Sequence, residues 1–192
     1  MRKRKGLWQV EETVQLYKNG WLEVCEDKVI RPDDQAGSFV TVKMRPGVSV
    51  LAVDETRQVY LTSEFRYAIV RPSIEVVSGA VEADEPPLNA ARRELREELG
   101  IEAAAWIDLG SIDPFTSLIH SPAALFLARN LSFVEPHCDD TEIIRAVKVK
   151  LSEAVRMVME SEITHGPSCV LILKTNHFLN SEQAGIFGTG SD

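Results

Sequence analysis

This chain of 192 residues is short of positive charge, of cysteine and of long apolar runs, and each shortage excludes something. With 21 Lys and Arg against 29 Asp and Glu, the formal net charge is -8. Such a surface repels polyanions, so binding along an extended nucleic acid is disfavoured, while a local basic pocket stays open. A phosphate ester as substrate would call for a cation to neutralise both it and the protein's own acid. The three cysteines, Cys25, Cys138 and Cys169, stand far apart with no CxxC or CxxxC spacing. They read as buried or free thiols in a reducing compartment. The four histidines, His120, His137, His165 and His177, form no metal-ligand spacing and carry no assigned role. No apolar stretch is long enough to cross a membrane. The basic start Met1-Arg2-Lys3-Arg4-Lys5 leads into Gly6, Leu7, Trp8, Gln9 and then acidic residues, so the apolar core of an export signal is missing. Cytoplasmic residence is the resulting expectation. Internal repeats and low-complexity segments are absent as well.

What is present suits a globular domain: 44% apolar and 26% charged residues, enough for one sizeable core and a small appendage. Early in the chain Val14, Leu16, Leu22 and Val24 alternate with polar residues around Asn19-Gly20, which predicts two strands joined by a tight turn at positive φ. Residues 38–44 and 47–53 are further strands, broken at Pro46-Gly47, and 58–65 is another after a turn at Asp54-Glu55-Thr56. The pattern changes at Pro86-Pro87, which can open a helix. Leu88, Ala91, Leu95 and Leu99 then recur at helical spacing until Gly100 stops the helix. Strands follow at 104–113, 122–129 and 142–149. Ser152 is a candidate cap for a helix over 153–160, and a last helix is expected near 168–179. Strands, one helix, strands and then helices describe a mixed α/β (α+β) domain.

The stretch 79–101, GAVEADEPPLNAARRELREELGI, carries the chemistry. At about 100° per residue, Glu94 and Glu98 lie one turn apart on one side of the helix, with Glu97 beside them. The leucine stripe borders this acidic face and anchors it to a core. Three neighbouring carboxylates repel each other unless a cation lies between them or protons are taken up. Oxygen ligands on one rigid surface suit Mg²⁺ or Mn²⁺. Glu- and Arg-rich helices are also common as solvated faces laced with pairs such as Arg93 and Glu97, so composition alone favours that plainer alternative.

The spacing goes further. This segment resembles the Nudix box, G-x5-E-x7-R-E-U-x-E-E-x-G-U, with U a bulky aliphatic residue. Gly79, Glu85, Arg93, Glu94, Leu95, Glu97, Glu98, Gly100 and Ile101 fill every fixed position. The resemblance implies a mixed sheet sandwiched between helices, and metal-dependent hydrolysis of a nucleoside diphosphate linked to another moiety. By position, the metal-binding roles fall on Glu94, Glu97 and Glu98, joined by the backbone carbonyl of Ala80. Arg93 and Glu85 become supporting residues that orient them. Gly79 is expected to give backbone freedom where the strand turns into the loop.

The flanks over residues 14–178 are similar to ADP-ribose/ADP-sugar pyrophosphatases. YKNGWLEVCEDKV, EFRYA, IEVVSGAV and DPFTS resemble their N-terminal β-subdomain, their "QYR/QFR" strand end, their "LELPAG" segment and their proline-bearing loop after the box. The likeness implies that Trp21 and Phe39 stack on adenine, one from each subunit of a swapped homodimer, with core burial as the alternative. Arg66 falls on a residue that contacts the diphosphate or terminal ribose, and Pro114 on the loop proline. Glu142 falls on an acid that positions or deprotonates the attacking water, and Glu75 on one near the metals. Val77-Ser78 replace the relatives' Pro-Ala, and Phe115 replaces a loop glycine. The usual acidic residue beyond that loop is absent at His120-Ser121-Pro122, which leaves the sugar open.

The reading is therefore an N-terminal antiparallel β-subdomain (1–44) suited to dimerisation and substrate contact, a Nudix domain (45–180) and a loose tail (181–192). It is expected to act with Mg²⁺ or Mn²⁺ on ADP-ribose or an ADP-sugar, giving AMP and a sugar phosphate, with neither nucleic acid nor membrane as partner. The alternatives are a Nudix hydrolase for a nucleoside triphosphate, GDP-sugar or dinucleotide, and a ligand-sensing Nudix module without catalysis.

Overall fold

The computed structural model describes residues 3–135 and 144–184. In chain order the strands are β1 (Lys3–Lys5), β2 (Trp8–Lys18), β3 (Leu22–Ile30), β4 (Ala36–Met44), β5 (Gly47–Val53), β6 (Gln58–Arg66), β7 (Arg71–Glu75), β8 (Val77–Ala80), β9 (Ile101–Ile112), β10 (Ile119–His120), β11 (Ala123–Phe133) and β12 (Arg145–Lys150). The helices are α1 (Pro87–Leu99), α2 (Leu151–Met159) and α3 (Gly166–Gln183). Among the described residues no helix is long and apolar enough to cross a membrane. Contacts divide the chain into two compact units, Met1–Pro46 with Asp113–Pro122, and Gly47–Ile112 with Ala123–Asp192.

The first unit is a sheet in the order β1-β2-β3-β4-β10. β1 to β4 are antiparallel neighbours, while β10 runs parallel to β4, with Ile119 opposite Val42. The segment 113–122 thus belongs here rather than with the residues that flank it in the chain. The turn between β2 and β3 differs in mechanism from the expected positive-φ hairpin, because Gly20 is not in the left-handed region. Instead the Asn19 Oδ1 accepts the N–H groups of Trp21 (2.8 Å) and Leu22 (2.9 Å), so a side chain closes the turn. Val10 and Val29 are buried on this sheet beside Asp27, whose carboxylate receives Lys5 and Thr13, each at 2.5 Å. Burial opposes the charge on Asp27, but these two hydrogen bonds together with the charges of Lys5 and Lys3 hold its pKa below the usual carboxylate range.

In the second unit the sheet order is β12-β6-β5-β11-β9, with β7 beside β6 and β8 beside β5. β5 and β11 are parallel, and Val50 lies opposite Phe126. β5 (GVSVLAV) is buried from Val48 to Val53, as a mostly apolar strand at the centre of a covered sheet should be, and its one hydroxyl, Ser49, is paired with Ser78 Oγ at 2.9 Å. Strand alternation sorts its side chains. Val48, Val50 and Ala52 pack with Ala90, Ala91 and Leu95 of α1, whereas Leu51 and Val53 pack with Leu151, Ala154, Leu171 and Ile172 of α2 and α3. The unit is a sheet sandwiched between helices, the mixed α+β architecture that the sequence implies.

Element ends differ from expectation where neighbours decide them. α2 starts at Leu151, with Lys150 as its cap residue and no side-chain capping bond, so Ser152 is not the cap. The Leu151 N–H donates to the Arg57 carbonyl (2.9 Å), which ties the helix start to the turn that leads into β6. α3 begins at Gly166, ahead of the expected start, with Pro167 in its first turn. It also continues through Gln183, into the segment expected to be loose. Its last turn is tied by Arg57, which donates to the Leu179 carbonyl and to Asn180 Oδ1, each at 3.0 Å.

Candidate active site

α1 exists because its ends and its buried stripe agree. Pro86 precedes the helix and Pro87 opens it, while Gly100 ends it in the left-handed region at φ 60° and returns its N–H to the Arg96 carbonyl (2.9 Å). Ala90, Ala91 and Leu95 are fully buried, which fixes the rotation of the helix about its axis. Glu94 and Glu98 fall between Ala90 and Ala91 around the helix, so Glu94 reaches Gly79 of β8, while Arg93 and Glu97 lie further round on the side away from Leu95.

Arg93 organises that side. Its Nε and Nη2 donate to the two Glu85 carboxylate oxygens (3.2 and 3.1 Å), and Nη2 also donates to the Ala80 carbonyl (3.1 Å). Its Nη1 donates to Glu94 (2.7 Å) and Glu97 (3.2 Å). A planar fork with five N–H groups can serve so many acceptors; an ammonium cannot. Glu85, foremost, and Glu94 hold the guanidinium charged well beyond its ordinary range, and Arg93 in turn lowers the Glu85 pKa. Glu85 also accepts the Glu82 N–H (3.1 Å), so the loop before α1 is pinned to the helix.

Gly79 acts differently from the expectation of backbone freedom. It lies within β8, opposite Val48, and its φ is not left-handed. A Cβ there would sit 2.0 Å from both Cδ and Oε1 of Glu94, so the glycine is a cradle for that carboxylate. This cradle and the donor set (three carboxylates and a carbonyl, all hard oxygens) fit a small divalent cation. Among the described residues no three acidic, imidazole or thiol side chains already converge as a ligand cage. Glu94 and Glu97 are drawn onto Arg93 instead.

Arg66 joins this face from the end of β6. Its guanidinium meets Glu75 bidentately, Nε to Oε1 at 3.1 Å and Nη2 to Oε2 at 2.8 Å, and pairs through Nη1 with Glu64 (2.7 Å). The Glu75 hydrogen bonds raise its pKa most, and the field of Glu98 contributes, so the box helix is within electrostatic reach. Burial pushes the Glu75 pKa upward, but Arg66, His165 and Ser73 together hold it below the usual range. The sequence gives no sign of His165 or Glu64 as partners here; His165 is separated from Glu75 by 90 positions and forms no motif with it.

Of the residues singled out from sequence, the structure thus brings together Gly79, Ala80, Glu85, Arg93, Glu94 and Glu97, and pairs Arg66 with Glu75 where the field of Glu98 also reaches the guanidinium. Trp21, Phe39 and Pro114 lie in the other unit. Trp21 is 64% exposed with the Arg45 guanidinium 5.1 Å from its ring, and Phe39 meets Trp8 edge-on at 5.8 Å. Neither aromatic is buried core. Pro114 and Phe115 are exposed. Glu142 falls outside the described residues.

A NUDIX domain model matches residues 43–165, and the chain belongs to that family. It is a Nudix pyrophosphatase and is similar to proteins named as ADP-ribose pyrophosphatases. An ADP-ribose pyrophosphatase of Bacillus subtilis is 26% identical over 151 residues, covering 78% of this chain and 82% of the relative. A second, from Mycobacterium tuberculosis, is 29% identical over 143 residues, covering 72% and 69%. A solved structure titled as an ADP compounds hydrolase superposes with a TM-score of 0.80 at 16% identity, covering 94% of this chain and 98% of that one, which speaks to the fold.

Proposed function

We propose that this Nudix pyrophosphatase hydrolyses the phosphoanhydride bond of ADP-ribose or an ADP-sugar with Mg²⁺ or Mn²⁺, releasing AMP and a sugar phosphate. The observation that carries the reading is the assembly about Arg93, which fixes the side chains of Glu94 and Glu97 and the Ala80 carbonyl on the face that Arg66 also approaches. The names of the two relatives support ADP-ribose as the first substrate to test.

Glu94, Glu97, Glu98 and the Ala80 carbonyl would hold the cation, which supplies charge neutralisation on the diphosphate and a bound water of lowered pKa. Arg66 grips the diphosphate, offering N–H donors to oxygens that gain charge as the anhydride breaks. Glu85 and Arg93 keep the acidic face in register with the loop. Glu142 takes the proton of the attacking water or orients it. Trp21 and Phe39 stack on adenine, Pro114 shapes the loop over the substrate, and Phe115 restricts the pocket for the non-adenosine half. The N-terminal β-subdomain makes a homodimer and contributes Trp21 to the partner's site.

The test is a hydrolysis screen with Mg²⁺ or Mn²⁺ over ADP-ribose, ADP- and GDP-sugars, dinucleotides and nucleoside triphosphates, with products identified. ADP-ribose or an ADP-sugar should lead, giving AMP, and chelation should abolish turnover. Preference for a triphosphate, a GDP-sugar or a dinucleotide would overturn the substrate assignment.

A further inference from the structure

The two carboxylates that hold Arg66 differ in a way that bears on substrate capture. The Glu75 side chain is 6% exposed, whereas the Glu64 side chain is 22% exposed. Behind Glu75 stands His165, whose Nδ1 lies 3.4 Å from Glu75 Oε2 and 2.8 Å from Ser168 Oγ. Ser168 Oγ accepts the Val76 N–H at 2.9 Å, so the residue after Glu75 is tied to the same cluster. The His165 carbonyl accepts the Cys169 N–H (3.0 Å), which anchors the imidazole to the first turn of α3. Burial lowers the His165 pKa, against the pull of Glu75, and so favours the neutral ring; of its two tautomers only the Nδ1–H form donates toward Glu75 and Ser168.

We propose that Glu75 and His165 are positioning residues that hold the Arg66 guanidinium toward the box helix, and that Glu64 is the partner which the substrate's diphosphate displaces. The proposal rests on the reading that Arg66 grips the diphosphate. A guanidinium has five N–H groups; among the described residues Glu75 takes two and Glu64 one of the pair on Nη1. A diphosphate approaching that edge competes for Nη1. Displacing Glu75 would strand a buried carboxylate, whereas displacing Glu64 returns a carboxylate to water. The two acids therefore act oppositely on affinity: one aims the arginine, and the other competes with substrate for it.

The experiment compares Glu75→Gln, His165→Ala, His165→Asn and Glu64→Gln as full-length metal-loaded enzymes, on the substrate that wild type turns over fastest. KM, kcat and melting temperature are read for each. His165→Ala and Glu75→Gln should raise KM about tenfold with a much smaller change in kcat, because a diphosphate grip holds ground and transition states alike. His165→Asn, whose amide nitrogen occupies the place of Nδ1, should recover most of that loss. Glu64→Gln should lower KM. Equilibrium binding of inorganic pyrophosphate, measured by calorimetry on the same variants, should follow the same order. No turnover of any compound in the screen would defeat the functional reading, and the pyrophosphate series would then decide this inference separately. A fall in melting temperature with wild-type KM and pyrophosphate affinity in both His165 variants would mean a structural role only and overturn it. So would a Glu64→Gln effect of the same sign as Glu75→Gln, and the His165 and Glu64 variants decide the matter even if Glu75→Gln does not fold.

Discussion

Gly79 and Glu94 illustrate how one missing methyl group serves a carboxylate. An alanine Cβ at position 79 would meet the Glu94 carboxyl at 2.0 Å, and that carboxyl is the mobile end of a side chain. The protein can therefore accept Gly79→Ala by moving Glu94, at a folding cost of about 1 kcal/mol or less. Hydrolysis should fall by at least about tenfold, because a cation ligand has left its place. Thermal melts and turnover on the same sample check this, and wild-type activity in the folded variant would contradict the cradle. Glu98→Gln makes the complementary case. It keeps shape and helix propensity while removing a hard anionic ligand and one of three like charges. Turnover should drop by about two orders of magnitude or more with no loss of melting temperature. Unchanged turnover in pure, folded Glu98→Gln would remove this helix face from the chemistry.

At the scale of elements, the turn joining β5 to β6 shows how a loop stiffens the sheet edge. Asp54 Oδ1 accepts the N–H groups of Thr56 (2.9 Å) and Gln58 (3.0 Å) and the Thr56 hydroxyl (2.7 Å). Its Oδ2 receives the Tyr60 hydroxyl and the Lys148 ammonium, both at 3.1 Å, which reaches across to β12. Burial opposes the charge on Asp54, yet the Thr56, Gln58, Lys148 and Tyr60 hydrogen bonds prevail and depress its pKa strongly. A carboxylate depressed in the fold binds fewer protons there than in the unfolded chain. Its stabilisation is thus complete above the ordinary carboxylate pKa of about 4 and is lost as pH falls through that value toward the depressed one. Asp54→Asn should lower stability at neutral pH and flatten the acid limb of the stability curve. Denaturant melts from pH 7 down to pH 3 measure it, and parallel curves for wild type and variant would show that Asp54 does not set that limb.

At the scale of the whole molecule, two linkages connect composition to behaviour. A chain of net charge -8 that gathers acids on one helix should be stabilised by a cation bound only when folded. Mg²⁺ or Mn²⁺ should raise the melting temperature, equivalent to about 2.7 kcal/mol at a hundredfold excess over Kd. The double variant Glu94→Gln/Glu98→Gln should lose most of that response, and an equal shift in both proteins would place the cation elsewhere. The second linkage concerns assembly. The first unit exposes Leu16, Tyr17 and Phe39 on a sheet with few buried residues and Trp21 in the turn between β2 and β3, which favours a second copy as cover. Light scattering should report a dimer at micromolar concentration, and Trp21→Ala should raise KM more than it lowers kcat. A monomer together with wild-type kinetics for Trp21→Ala would refute both parts.

By itself the sequence determined what depends on neighbours in the chain. Helix α1 was legible from Pro86-Pro87 to Gly100 because its caps and the Leu88-to-Leu99 stripe are local, and β5 because its apolar run matches a covered strand. The box was legible for the same reason, since nine fixed positions within one continuous stretch, 79–101, need no tertiary partner to be recognised. Tertiary structure decided what depends on residues distant in sequence. It turned Gly79 from a flexible joint into a space for Glu94, and it closed the Asn19 turn with a side chain rather than with positive φ. It started α2 where β12 ends and moved 113–122 into the first unit. It also set His165 against Glu75, a contact across 90 positions that no periodicity encodes, because burial and hydrogen-bond partners are properties of the folded chain alone.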